Sequence, residues 1–264
     1  MDNHAVKNMK RHAALAGLLL FAAVLSSCDK NAVQDITAPP PASRIKFFNF
    51  GVNAPGVNFY ANDTKMTAVT SATGVESTTG TVYGGVGSGG FYDGIAPGQY
   101  TVAGKIAAAT DKDLAIATIP ATIADGKLYS AYLSGFYNTA TKTVDGFVVE
   151  DPVPAVDYTV AYIRFVNAIS NSSAMTLFAK NTVTTTEVAL GGAAAYKAAG
   201  AFTALPEGVY DLSTRVAGSG ANAISRAGVS FLAGRVYTIG ARGDMTVVST
   251  TATNRPFLDN TANR

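Results

Sequence analysis

The sequence predicts an all-β chain: two tandem β-sandwich domains behind an N-terminal leader and a polar, proline-rich tether. Three observations predict it. Runs rich in β-branched and aromatic residues alternate with period 2, as where Ile45, Phe47 and Asn49 alternate with Lys46 and Phe48, or Tyr129, Ala131 and Leu133 with Ser130 and Tyr132. No segment sustains a helical period, and turn signals (Asn62-Asp63, Ala96-Pro97-Gly98, Asp125-Gly126, Asp145-Gly146, Gly243-Asp244) break the runs at the short intervals expected of a sandwich. The whole pattern then occurs twice in the same order, so the β reading rests on two copies.

The leader comes first. Lys7, Lys10 and Arg11 make a basic segment, and Ala13 to Val24 is an almost unbroken apolar run. That order is the layout of a secretory signal, and the run falls short of the roughly 20 apolar residues a membrane span needs. It ends in Leu25-Ser26-Ser27-Cys28, which holds the only cysteine of the 264 residues. A lone cysteine is often a small buried hydrophobe, or pairs between chains. Here its position favours another role. Leu25, Ser26, Ser27 and Cys28 resemble the bacterial lipobox, in which a diacylglyceryl group is attached to the cysteine sulfur and the signal is cut just before it. Residues 1–27 are then a lipoprotein signal peptide, and Cys28 is the first mature residue. A complete signal also begins at Met9, so Met1 and Met9 both stand as starts. One acyl chain binds a membrane only marginally and two or more hold it stably, so the expected address is the cell envelope, lipid-anchored through acylated Cys28, with the outer membrane favoured. Asp29 leaves the inner membrane open, because in some bacteria an aspartate there causes retention.

Residues 28–43 read as the lipidated cysteine followed by a flexible tether, since "DKNAVQDITAPPPAS" is polar and Pro-rich and poor at building a core. The repeat then sets the domains. "IKFFNFGVNAPGVNFYAN" from Ile45 aligns with "IRFVNAISNSSAMTLFAK" from Ile163, pairing Ile45 with Ile163, Lys46 with Arg164, Phe47 with Phe165 and Asn49 with Asn167. "APGQYTV" from Ala96 aligns with "PEGVYDL" from Pro206, pairing Gly98 with Gly208 and Tyr100 with Tyr210. "DGKLYSAYLSG" from Asp125 aligns with "AGRVYTIGARG" from Ala233. The boundaries that follow are residues 44–151 for the first domain, 152–157 for a linker, 158–252 for the second domain and 253–264 for a C-terminal tail. Domains of about 100 residues can bury an adequate core without disulfides.

Composition excludes several chemistries. Removing residues 1–27 takes Lys+Arg from 20 to 17 and Asp+Glu from 18 to 17, so the mature chain carries no net charge, and nucleic acid is not an expected partner. The same cut removes both histidines, His4 and His12, and lipidation uses the thiol. Neither a Ser-His-Asp or Cys-His site nor a His- or Cys-liganded zinc site can then be built. No catalytic residue, metal ligand or cofactor is assigned.

The segments quoted above, with the "VVED" that closes the first copy, resemble the family called domain of unknown function 4397, found in bacterial secreted proteins and lipoproteins, often in tandem. The resemblance covers nearly all of the mature chain and implies immunoglobulin-like sandwiches. It assigns no activity. The Gly-rich segment near Gly84 to Gly90 has no counterpart in the second copy, and the family's Pro after the first strand is represented only by Pro55.

Candidate sites are few. "GVGSGG" (Gly85 to Gly90) has the spacing G-x-G-x-x-G but lacks the following helix of a dinucleotide site, and reads as a flexible loop. Asp111 to Asp113 and Glu150-Asp151 could begin a calcium site but fall short of its six to eight oxygens. Tyr100 and Tyr210, each after a turn, read as a recurring packing or corner hydrogen bond. Tyr132 and Tyr137, set opposite the inferred core, are the candidates for surface binding. The expected role is a non-enzymatic binding or adhesion module, its partner an envelope or extracellular protein or glycan. The alternatives are a structural or accessory subunit of an envelope complex, and a carboxylate-dependent glycan-active enzyme.

Overall fold

Alternation of inward and outward side chains builds eighteen strands in the computed structural model, which describes residues 41–69 and 75–264. The segment read as a signal peptide, with Leu25, Ser26, Ser27 and Cys28, and most of the segment read as a tether lie outside the described residues. Strand β7 (Ala115–Ile123) shows the rule: Ile116, Ile119, Ala121 and Ile123 are buried, Thr118, Pro120 and Thr122 are exposed. Pro120 is tolerated because β7 is an edge strand, where the missing N–H breaks no ladder.

The first half holds β1 (Arg44–Asn49), β2 (Val57–Ala61), β3 (Thr64–Lys65), β4 (Gly85–Val86), β5 (Asp93–Gly94), β6 (Gly98–Ile106), β7, β8 (Leu128–Asn138) and β9 (Thr143–Glu150). One sheet runs β4-β1-β8-β9, with β5 also on β1, and the other runs β3-β2-β6-β7. The second half holds β10 (Ala161–Asn167), β11 (Met175–Asn181), β12 (Glu187–Ala194), β13 (Ala198–Ala199), β14 (Thr203–Leu205), β15 (Gly208–Val216), β16 (Ile224–Phe231), β17 (Val236–Arg242) and β18 (Phe257–Ala262). Its sheets repeat the same order: β13-β10-β17-β18 with β14 on β10, and β12-β11-β15-β16. Even the parallel pair recurs, β1 beside β8 and β10 beside β17. The chain is thus all-β with sandwich character, each half closing two sheets over its own core. Ile45, Phe47, Phe59, Val102 and Leu133 lie in the first core, and Ile163, Phe165, Leu177, Leu212 and Ile239 in the second.

Two boundaries and one loop differ from the sequence reading. Residues 253–264 are more than a tail: β18 pairs along β17 from Arg242↔Phe257 to Tyr237↔Ala262 and contributes the fully buried Leu258 to the second core. The Gly-rich segment does have a counterpart, and it is ordered rather than a bare loop. Val86 pairs with Phe48 as Ala199 pairs with Val166, and Gly87–Gly90 forms a 3-10 turn. Ser43, read as the last residue of the tether, is buried, donating to the Ala124 carbonyl at 3.0 Å and accepting from the Gly126 N–H at 3.1 Å.

A third apolar cluster lies where the two halves meet. In β1, Ile45 and Phe47 point into the first core, so Lys46 and Phe48 must point the other way, followed by Phe50 beyond the strand. That outward face is covered. Phe48, Phe50, Tyr132 and Phe147 of the first half bury themselves with Val166 and Ala168 of the second. The Phe48 and Tyr132 rings stack at 4.4 Å, and Tyr132 and Phe147 at 5.0 Å. Pro41 to Arg264 accordingly form one compact unit.

The seam is close to reciprocal. Lys46 and Arg164 are equivalent in the repeat, as are Tyr129 and Tyr237. Glu150 lies opposite Tyr129 and Ala262 opposite Tyr237, so Glu150 and Ala262 are equivalent as well. Lys46 Nζ donates to the Ala262 carbonyl at 2.7 Å, and Arg164 Nη1 donates to the Glu150 carbonyl at 3.0 Å. Each half therefore offers a cation at the same position to the equivalent carbonyl of the other, the pattern of a two-fold interface. Where one side is bulky the other is small. Gly240, opposite number of Tyr132, leaves the space that Phe50 fills, and a Cβ there would sit 2.7 Å from the Phe50 ring.

Candidate functional site

The polar end of the seam is built from residues brought in by four strands (β1, β8, β10 and β17), the segment before β5, and the segments after β9 and β18. Arg164, fully buried in β10, makes an ion pair with Asp151 Oδ1 and donates from Nε to Thr238 Oγ1 at 3.0 Å. Asp151 Oδ2 accepts from Ser130 Oγ at 2.6 Å and from Tyr92 Oη at 2.5 Å. Asn263, the residue equivalent to Asp151, donates to Tyr92 Oη at 2.7 Å and accepts from Thr238 Oγ1 at 2.8 Å. The carboxylate is thus saturated, as a buried charge must be. Lys46 lies beside this network, over the Tyr92 ring at 4.3 Å. Burial is the main force on its ammonium, pulling its pKa down to about 8 against the opposing charge of Asp151, and the Arg164 charge adds to the lowering. Burial, then the Asp151 charge, pushes the Tyr92 hydroxyl well above its ordinary range.

Above Lys46 the seam opens into a cleft of about 720 Å³. Arg44, Lys46, Phe91 and Tyr92 come from the first half, Arg235, Asn260 and Arg264 from the second. No Asp or Glu side chain among the described residues lines it. The carboxylates close to its walls are engaged elsewhere: Asp93 accepts from Ser88 Oγ at 2.8 Å, Asp259 pairs with Arg242 at 2.5 Å, and Asp151 belongs to the buried network. None of the four cations has an ion pair among the described residues. Arg264 reaches the Pro154 carbonyl through Nη1 at 2.8 Å, but its Nε and Nη2 are buried without a partner among the described residues, as is Asn260 Oδ1. Four cations around one space, Arg264 with unmet buried donors, and no Asp or Glu side chain of the described residues on its walls make an anion site.

The opposite end of the seam is closed instead. Tyr196 Oη lies 2.9 Å from Ser134 Oγ and donates to Asp145 Oδ2 at 3.0 Å, while Lys197 pairs with Asp145 at 2.7 Å.

The tyrosine candidates fall elsewhere. Tyr132 is not a surface residue: it is 0 % exposed, because the outward face of β8 is covered by the second half. Tyr137 is half-buried, its ring against the first core. Tyr100 and Tyr210 do make the recurring corner, donating to the Ala96 carbonyl at 3.0 Å and the Pro206 carbonyl at 2.8 Å. Each follows a glycine, Gly98 at φ 156° and Gly208 at φ 154°, a backbone that L side chains rarely adopt. The acidic pairs are separated by their partners. Glu150 pairs with Lys127 at 3.0 Å while Asp151 is buried, and Asp111 pairs with Lys142 at 2.6 Å.

The cleft residues Arg44, Arg235 and Arg264 were not foreseen from the sequence, where each is an isolated cation at a strand or chain end. Lys46 and Arg164 carried a signal: a cation at the same position of both copies, inside strands too apolar to have a solvated face. Searches against protein-family models and curated proteins return no match to the chain, so the resemblance of the repeats rests on the quoted segments alone.

Proposed function

We propose that this chain is a lipid-anchored envelope protein, cut before and acylated on Cys28 and held on the outer membrane. In this reading its two halves are tandem immunoglobulin-like β-sandwich domains that act together as a non-enzymatic binding module. The address is supported by the order of basic segment, apolar run and Leu25-Ser26-Ser27-Cys28. The observation that carries the binding role is the cleft where the halves meet, with Arg44, Lys46, Arg235 and Arg264 facing one space that no carboxylate side chain of the described residues lines. Catalysis finds no comparable support. Asp151 is locked between Arg164, Tyr92 and Ser130, and several of the exposed carboxylates, Glu76, Asp111, Asp145, Glu150 and Glu187, are paired to lysine or arginine.

The test is a comparison of binding with turnover. Residues 29–264, immobilised and presented to the envelope fraction of the source cells, should retain a component that Arg44→Gln with Arg235→Gln fails to retain. The same protein should show no hydrolysis of ester, peptide, phosphate or glycoside substrates. Hydrolysis that disappears on changing one or two carboxylates would replace the binding module with the glycan-active alternative.

A further inference from the structure

The cleft sits at one particular end of the molecule. Strands β1, β8, β10 and β17 all begin there, and the chain arrives at the same place: Arg44, the first residue of β1 and a wall of the cleft, donates its N–H to the Lys127 carbonyl at 3.0 Å, and Ser43 accepts from the Ile95 N–H at 3.1 Å. Apolar side chains stand bare around the opening. Phe91, on the cleft wall, is 76 % exposed. Tyr158, 83 % exposed, and Val156 line an adjoining hollow of about 270 Å³ that shares Arg235 and Arg264 with the cleft. Leu232, 58 % exposed, opens the turn that carries Arg235, whose N–H donates back to the Leu232 carbonyl at 3.2 Å.

We infer that this end of the protein is a docking face for the anionic headgroup layer of a membrane, with a lipid phosphate held in the cleft by Arg44, Lys46, Arg235 and Arg264. The inference deepens the anchored reading and rests on it for the identity of the membrane. From Cys28 to Arg44 the chain advances sixteen residues, which reach at most about 55 Å however they are arranged. The cleft is therefore confined near the leaflet that holds the acyl chains. Its chemistry suits that neighbour. Guanidinium groups hold phosphate oxygens in a fork geometry, Asn260 Oδ1 offers an acceptor to a headgroup hydroxyl, and exposed Phe and Tyr rings beside cations belong at the boundary between headgroups and acyl chains. A soluble phosphate would fit the cations equally well but gives Phe91, Tyr158 and Leu232 nothing to meet. The bare apolar rim selects the lipid source.

The test uses residues 29–264, which keep the whole folded unit and carry no acyl chain, so its result does not depend on whether Cys28 is acylated. The protein is sedimented with vesicles of phosphatidylcholine alone, or of phosphatidylcholine with about one-third phosphatidylglycerol. Binding to the anionic vesicles is expected, weakening as salt rises from about 50 mM to about 500 mM. Arg44→Gln with Arg235→Gln should weaken it about thirtyfold, at roughly fivefold for each basic residue removed. Neither side chain makes a hydrogen bond or ion pair among the described residues, so the melting temperature of this variant should match that of the parent. Phe91→Ser with Tyr158→Ser should weaken binding without changing its salt dependence. Binding equal on the two vesicle types, or unchanged in the arginine variant, would overturn the inference. Tight binding of inorganic phosphate with no vesicle binding would overturn the lipid assignment, leaving the cleft as a site for a free anion.

Discussion

Removing the Asp151 carboxylate tests the seam at its most consequential atom. Asp151 and Arg164 are both buried, and the carboxylate also accepts from Tyr92 and Ser130. In Asp151→Ala, Arg164 keeps only the Glu150 carbonyl and Thr238, and Lys46 loses the one negative charge that offsets its burial. Two cations are then buried without a counter-charge, and two hydroxyls lose their acceptor. Breaking a buried pair by deleting one partner costs about 3–5 kcal/mol. In a unit of this size each kcal/mol moves the melting temperature by about 2–4 °C, so a fall of roughly 10 °C is expected. Urea and thermal unfolding of residues 29–264, followed by circular dichroism and tyrosine fluorescence because the chain has no Trp, would measure it. Asp151→Leu with Arg164→Met should recover most of the loss, since apolar groups of similar volume replace such a pair at little cost. A single variant within about 1 kcal/mol of the parent would refute the reasoning, because an ion pair so easily lost must be reached by water.

Three further outcomes follow from the same contacts. Gly240→Ala places a methyl group against the Phe50 ring and should destabilise by about 1–3 kcal/mol in urea titrations, with Phe50→Leu giving part of it back. Tyr210→Phe should cost about 1 kcal/mol and Tyr100→Phe less, because the Tyr210 corner is buried and the Tyr100 corner meets water; equal costs would contradict the burial argument. For Lys46, the folded pKa of about 8 lies below the unfolded 10.5, so between those values the unfolded chain binds more protons and stability rises with pH. Tyr92 and Tyr132, raised by burial, act with the opposite sign from about pH 10 upward. The rise should thus be read between about pH 8 and pH 9.5, and Lys46→Met should flatten it.

Much of the fold was legible because alternation and repetition are local or linear signals. The alternation of Tyr129, Ala131 and Leu133 with Ser130 and Tyr132 correctly separated the two faces of β8. It could not say that the second face is also covered, since that depends on Val166 and Ala168 of the second half. For that reason the sequence alone places Tyr132 at the surface. The same cover explains Lys46 and Arg164, which a half-buried strand would direct to water and this seam buries. The corner at Tyr100 and Tyr210 was readable because donor and acceptor are four residues apart. β18 was missed because "FLDNTA" is short and polar, and only its pairing along β17 makes it a strand. The cleft was illegible for a related reason: Arg44, Arg235 and Arg264 come from three distant segments and converge only when the two halves dock.

The central claim is that the folded unit is displayed on a membrane by acylated Cys28, and metabolic labelling tests it most directly. Cells producing the full chain are fed an alkyne-bearing fatty acid, and the purified protein is examined for the tag and for its mass. The account predicts a labelled protein that begins at Cys28, and a Cys28→Ser protein that carries no label and retains its leader. Equal labelling of the two, or a mature unlabelled protein cut at another site, would contradict it.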